Sequence, residues 1–264
     1  MKPLDDAYAN APYIPGADSF LPRWTADAAA FRDGLGGRAE TGVSYGDTPR
    51  QVFDFFNAES NPRGTVVFVH GGYWKAFDHT IWSHFAGGAM ARGWSVAMPG
   101  YDLCPDVRIR DITRQIARAV TAVADRTEGP IALTGHSAGG HLVSRMTGPG
   151  VLPEAVRMRL ACVAPVSPVA DLTPLTETTM NDILSLDVDE AAAESPVFMP
   201  APDIPVEIHV GADERPVFVE NAERLARVWG VEAVVEPERH HFDVIDALRH
   251  PDSRLTRFLT ASGR

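Results

Sequence analysis

The chain has 264 residues, 45% of them hydrophobic and 22% charged, an ordinary globular composition that excludes a disordered, collagen-like or fibrous chain and allows one large domain or two small ones. Lys and Arg total 24 against 35 Asp and Glu, a formal net charge of −11, which repels phosphate backbones and anionic bilayers and argues against nucleic acid or membrane as a partner. The two cysteines, Cys104 and Cys162, show neither C-x-x-C nor zinc spacing, so no metal or other cofactor and a reducing, cytoplasmic setting are expected.

Residues 1–45 begin with Pro3, Asp5 and Asp6, where a secretion signal would place basic residues and an apolar run. Tyr8, Tyr13, Phe20, Trp24 and Phe31 are too many aromatics for a free tail, and the segment is expected to wrap the core as an N-terminal arm. A strand is predicted over 51–56, and a turn at Asn61-Pro62-Arg63-Gly64 leads into a near-continuous apolar run over 65–70, the pattern of a strand buried on both faces. A helix near 82–92 and a strand over 94–99 follow. The next helix, over about 111–126, carries Ile112, Ile116, Ala119, Val120 and Val123 on one face.

A strand over 131–134 precedes a helix over 138–146, and further strands fall at 160–165 and 206–210. Between these last two, residues 168–202 read as irregular with short helical pieces, a small cap-like insertion over one end of the sheet. A helix over 216–229, a strand over 231–235 and a closing helix over 248–259 complete the pattern. This alternation predicts an α/β fold with a mostly parallel central sheet and helices on both faces. With no repeat and no linker, one domain over 1–264 is expected.

Gly135-His136-Ser137-Ala138-Gly139 fits G-x-S-x-G between a buried strand and a helix. In that context the serine occupies a strained turn with its hydroxyl exposed at the carboxyl end of the sheet, so Ser137 is the candidate nucleophile. His70-Gly71-Gly72-Tyr73-Trp74 directly follows the apolar run, about 65 residues earlier. Its glycines let backbone amides face a cavity, and the amides of Gly72, Tyr73 and Ala138 are candidates to hold a tetrahedral oxyanion.

A serine hydroxyl needs a base, and His240-His241 follows the last strand, where the order Ser, acid, His places it. Spacing does not separate the two histidines. The acid should follow the strand over 206–210, where Gly211-Ala212-Asp213-Glu214 offers Glu214, the favoured candidate, and Asp213 as the alternative, the other of the two capping the next helix. Tyr73 and Trp74 are candidates to bind substrate, with core filling behind the loop an equal reading for Trp74. Trp24, Trp82, Phe198 and Trp229 are expected in the core.

These residues resemble the α/β-hydrolase superfamily, and within it the kynurenine formamidase (arylformamidase) branch, a neighbour of the hormone-sensitive-lipase-like esterases. The resemblance rests on His70-Gly71-Gly72-Tyr73-Trp74, Gly135-His136-Ser137-Ala138-Gly139-Gly140-His141-Leu142, Arg215-Pro216-Val217-Phe218 and His241-Phe242-Asp243-Val244-Ile245. It selects His241 over His240 as the base. It implies metal-independent hydrolysis of an N-formyl aromatic amide or a short acyl ester through an acyl-serine, with a small-molecule acyl substrate as the partner. A general carboxylesterase, lipase-like enzyme or thioesterase on the same scaffold is the alternative, and a non-catalytic ligand-binding protein a remote one. Neither a monomer nor a homodimer is selected.

Overall fold

The computed structural model describes residues 2–261. Its centre is built from four strands buried along almost their whole length: β3 (Thr65–Val69), β4 (Ser95–Pro99), β5 (Ile131–His136) and β6 (Leu160–Val166). Flanking them are β1 (Ala39–Ser44) and β2 (Val52–Phe56) on one side and β7 (Ile208–Gly211) and β8 (Ala233–Glu236) on the other. The eight strands form one sheet in the order β1-β2-β4-β3-β5-β6-β7-β8. β2 is antiparallel to both β1 and β4, and every other pairing is parallel.

Because side chains alternate across a strand, β3 serves two cores. Val67 and Val69 face α3 (Ile109–Arg126), α4 (Ala138–Arg145) and α8 (Pro216–Trp229), where Ile112, Ile116, Leu142 and Leu225 are fully buried. Val66 and Phe68 face the other layer, formed by α1 (Phe20–Leu35), a 3₁₀ segment over His79–Ala86 with α2 (Gly87–Ala91), and α9 (Arg254–Leu259). Each such Ile, Leu or Val contributes about 1.5–3 kcal/mol by leaving water.

Several elements differ from the sequence expectation. The arm contains a 16-residue helix, α1, and an edge strand, β1. Only Phe20, Trp24 and Ala28, a stripe at i, i+4 and i+8, are buried on α1, too narrow a face to stand out. The closing helix is split into a 3₁₀ turn over Val244–Arg249 and α9, because Pro251, just past the turn's capping His250, cannot donate a helical hydrogen bond. A short α5 (Glu154–Arg157) precedes β6.

The segment over 168–202 forms two 3₁₀ turns with α6 (Asn181–Leu184) and α7 (Val188–Glu194) between them. Phe198, expected in the core, is 56% exposed, with Arg224 over its ring. No helix among the described residues is long and apolar enough to cross a membrane.

Candidate active site

Ser137 stands alone between the end of β5 and the start of α4, with φ 57° and ψ −116°. An L-residue there stores on the order of 1–3 kcal/mol of strain. Hydrogen bonds hold it: its amide donates to Val166 O at 2.9 Å, and its carbonyl accepts from His141 N at 3.0 Å. The glycines on either side are steric requirements. A Cβ on Gly135 would lie 2.4 Å from Gly139 O, and one on Gly139 would lie 1.9 Å from Val69 O.

Beside it, β3 runs into the glycine loop. Gly72 has φ +112°, and a Cβ there would lie 2.5 Å from Ala76 O. Its carbonyl accepts from Lys75 N and Ala76 N, both at 3.1 Å. Tyr73 and Trp74 follow, also with positive φ. Among the described residues the amides of Gly72, Tyr73 and Ala138 have no hydrogen-bond acceptor. His70 braces the loop: Nδ1–H donates to Gly71 O at 2.7 Å, and the ring stacks on Tyr101 with centroids 4.4 Å apart. Burial pushes its pKa down to about 3, so it stays neutral.

Trp74 does not line the cavity, which corrects its assignment to substrate binding. It is fully buried, and its indole N–H donates to His141 Nδ1 at 3.3 Å. His141 Nε2 lies 2.8 Å from Glu194 O. A carbonyl only accepts, so the proton sits on Nε2 and Nδ1 is free to accept from Trp74. Burial, which pushes the pKa of His141 down to about 4, favours this neutral form. Tyr73 does line the cavity, and its hydroxyl donates to Tyr8 O at 2.7 Å.

Glu214 follows β7 and is buried, with Oε2 2.6 Å from His241 Nδ1. Its Oε1 accepts from Gly211 N at 2.8 Å and from the Ser167 hydroxyl. Asp213 is exposed, and its amide donates to Arg239 O at 2.9 Å. Nor does Asp213 cap α8: the N-cap is Arg215, and it makes no side-chain capping bond. His240 points elsewhere, with Nδ1 3.1 Å from Asp243 Oδ1 and its ring against Phe20. The His241 ring is flanked by Phe218 and His136, with centroids 4.3 and 4.5 Å away. Burial, first, and then the neighbouring His241 hold His136 well below the usual histidine range.

Ser137 and His241 open on one cavity of about 580 Å³, although no hydrogen bond joins their side chains. Its walls are largely aromatic: Trp24, Tyr73, Phe77, Trp82 and Phe242. Trp24 and Trp82, buried as expected for core residues, also form cavity wall. Met180 and Ile183 come from the cap, and Asp5, Tyr8 and Asn10 from the arm.

The arm's part in the wall is the functional contribution that sequence reasoning missed. Asp5 ties arm to cap by accepting from Thr179 N at 2.7 Å, and Arg215, next to Glu214, reaches Asp6 at 2.7 Å. Lys75, one of only two lysines in the chain, also lines the cavity and has no ion pair or hydrogen bond through its ammonium among the described residues. No group of three or more His, Cys, Asp or Glu among those residues is placed to hold a metal ion. A strained serine, an imidazole oriented by a buried carboxylate and the free amides of Gly72 and Tyr73 on one cavity, with that of Ala138 next to the serine, are suited to acyl transfer.

Comparison with known proteins agrees. Residues 66–200 match a family model for the alpha/beta hydrolase fold. A kynurenine formamidase of Drosophila melanogaster is 30% identical over 239 residues, spanning 82% of this chain and 79% of that protein. The kynurenine formamidase of Salmo salar is 25% identical over 233 residues with the same shares. Among solved structures, a provisionally named thioesterase from Silicibacter sp. TM1040 superimposes with TM-score 0.97 at 52% identity, covering 98% of this chain and 100% of the other. Esterase B from Lactobacillus rhamnosis, at 20% identity and TM-score 0.65 over 90% and 91% of the two chains, shares the fold.

Proposed function

Because this chain belongs to the alpha/beta hydrolase family, we propose that it is a serine hydrolase that removes a small acyl group, with an N-formyl aromatic amide as the favoured substrate. The observation that carries the reading is the buried Glu214–His241 pair opening on the cavity that also holds the strained Ser137. Glu214 keeps the proton on His241 Nδ1, which leaves Nε2 as the base. His241 takes the Ser137 proton as the serine oxygen attacks the carbonyl, and the Gly72, Tyr73 and Ala138 amides receive the negative oxygen. The imidazolium then protonates the departing amine. Water, deprotonated by the same imidazole, releases formate from the acyl-serine.

The aromatic walls suit an aryl leaving group, and Lys75 supplies the local attraction that a substrate carboxylate needs on a chain of net charge −11. The formamidase relatives favour the formyl amide. A short-chain ester or thioester is the second reading, favoured by the Silicibacter neighbour.

The test has two parts. A fluorophosphonate probe should label Ser137, and no labelling would sink the serine mechanism. The kcat/KM for N-formylkynurenine should then exceed those for p-nitrophenyl acetate and an acetyl thioester. A preference for either of the latter moves the assignment to the second reading.

A further inference from the structure

A second cavity, of about 670 Å³, lies along α3, and none of its lining residues belongs to the catalytic cavity. Four arginines line it, Arg110, Arg114 and Arg118 from α3 and Arg145 from α4, against two carboxylates, Asp125 and Glu194. In a chain where acids outnumber bases 35 to 24, the balance is locally reversed. Arg145 and Glu194 satisfy each other: Arg145 Nε lies 3.1 Å from Glu194 Oε2, which also accepts from the Thr113 hydroxyl at 2.7 Å.

The other three arginines recur at i, i+4 and i+8 and so leave one face of α3 over two turns, about 12 Å. Arg114 reaches Asp111 at 2.8 Å, with its side chain 70% exposed. Arg118 donates at 3.2 Å to Gln51 Oε1, an uncharged amide. The Arg110 guanidinium makes no hydrogen bond or close ion pair among the described residues, its interaction with Asp187 being through space only. Like charges at i, i+4 destabilise a helix, and among the described residues no carboxylate forms a direct ion pair with Arg118 or Arg110, the latter interacting with Asp187 only through space. Ala117, Ala122, Val151 and Pro153 give the groove an apolar floor.

We propose that this groove is a second, non-catalytic binding site for a small polyanion. Its phosphate or carboxylate groups are held by the guanidinium forks of Arg110, Arg114 and Arg118, and its apolar part lies on the alanine, valine and proline floor. The proposal does not depend on which acyl compound the catalytic cavity takes.

Isothermal titration of the intact protein with inorganic pyrophosphate, and separately with citrate, at about 50 mM salt to limit screening, tests it. The variants are Arg110→Gln/Arg118→Gln, which keeps helix propensity, and Lys75→Gln, which removes the catalytic cavity's only lysine or arginine. Saturable one-to-one binding is expected, weakened about tenfold or more in the double variant and unchanged in Lys75→Gln. Tighter binding of pyrophosphate assigns a phosphate ligand, and tighter binding of citrate a carboxylate one. Absence of saturation, equal binding by the double variant or loss in Lys75→Gln overturns the proposal. So does a dimer that the double variant dissociates, because the groove would then be a contact between copies.

Discussion

His141 touches neither Ser137's hydroxyl nor the cavity, yet it joins Trp74 of the glycine loop to the carbonyl of Glu194 at the end of α7. His141→Phe breaks both bonds while filling the space. On the proposed mechanism the loop's amides act on the oxyanion, which exists only around the transition state, so kcat should fall about tenfold or more while KM moves less than about threefold. Equal losses in both would mean a general disturbance.

At the acid, Glu214→Ala should lower kcat by about a thousandfold or more, and Asp213→Ala should leave it within about threefold. Motif spacing put both carboxylates in the right loop and favoured Glu214 without excluding Asp213. What separates them is the inward turn at Gly211, whose amide holds Glu214 Oε1, a tertiary detail no pattern carries. Lys75 is tested with a matched pair: Lys75→Met should raise KM for N-formylanthranilate about tenfold and leave formanilide unaffected. An equal change for both substrates would show that Lys75 does not read charge.

At the scale of elements, the central strands were legible because burial on both faces writes a continuous apolar run, as in β3 and β4. The elbow was legible because backbone crowding at Gly135 and Gly139 admits no other residue. Gly139→Ala should cost more than about 3 kcal/mol, read as a lowered denaturant midpoint. The edge strand β1, mostly exposed, has no such pattern, and α1 buries only three residues. The arm's role in the cavity depends on docking: Tyr73 holds Tyr8, Arg215 holds Asp6 and Thr179 holds Asp5. These contacts link parts of the chain that share no local signal. Asp6→Ala removes the exposed Arg215 pair and the acceptor of the exposed Tyr13 hydroxyl, so stability should change by less than about 1 kcal/mol, while KM rises severalfold as the arm loosens over the cavity.

Across the whole molecule, burial holds several histidines neutral. It pushes the pKa of His70 to about 3 and those of His84 and His141 to about 4, and it pushes His136 well below the usual range. Unfolded histidine titrates near 6.5, so below that pH the unfolded chain binds protons the folded one refuses. Stability is therefore full above pH 6.5 and falls as the pH drops toward 4. His209 works in the opposite direction: burial pulls its pKa down, but hydrogen bonds to Glu207 and Glu236 outweigh this and raise it. Thermal unfolding should show a Tm lower by on the order of 5 °C at pH 4.5 than at pH 7. The decline should be shallower in His84→Phe, since His84 has no hydrogen-bond partner for either ring nitrogen among the described residues.

The order in which the site's parts occur along the chain also bears on biosynthesis. The nucleophile follows the fifth strand, whereas Glu214 and His241 follow the seventh and eighth. A nascent chain emerges from its N-terminus and folds progressively, so a growing polypeptide carries Ser137 for roughly a hundred residues before the imidazole exists to activate it. On the proposed mechanism, hydrolysis begins only after β8 and the His241 that follows it have been made. Termination between Ser137 and that strand yields, on the same mechanism, a fragment with an unactivated serine rather than an unregulated hydrolase.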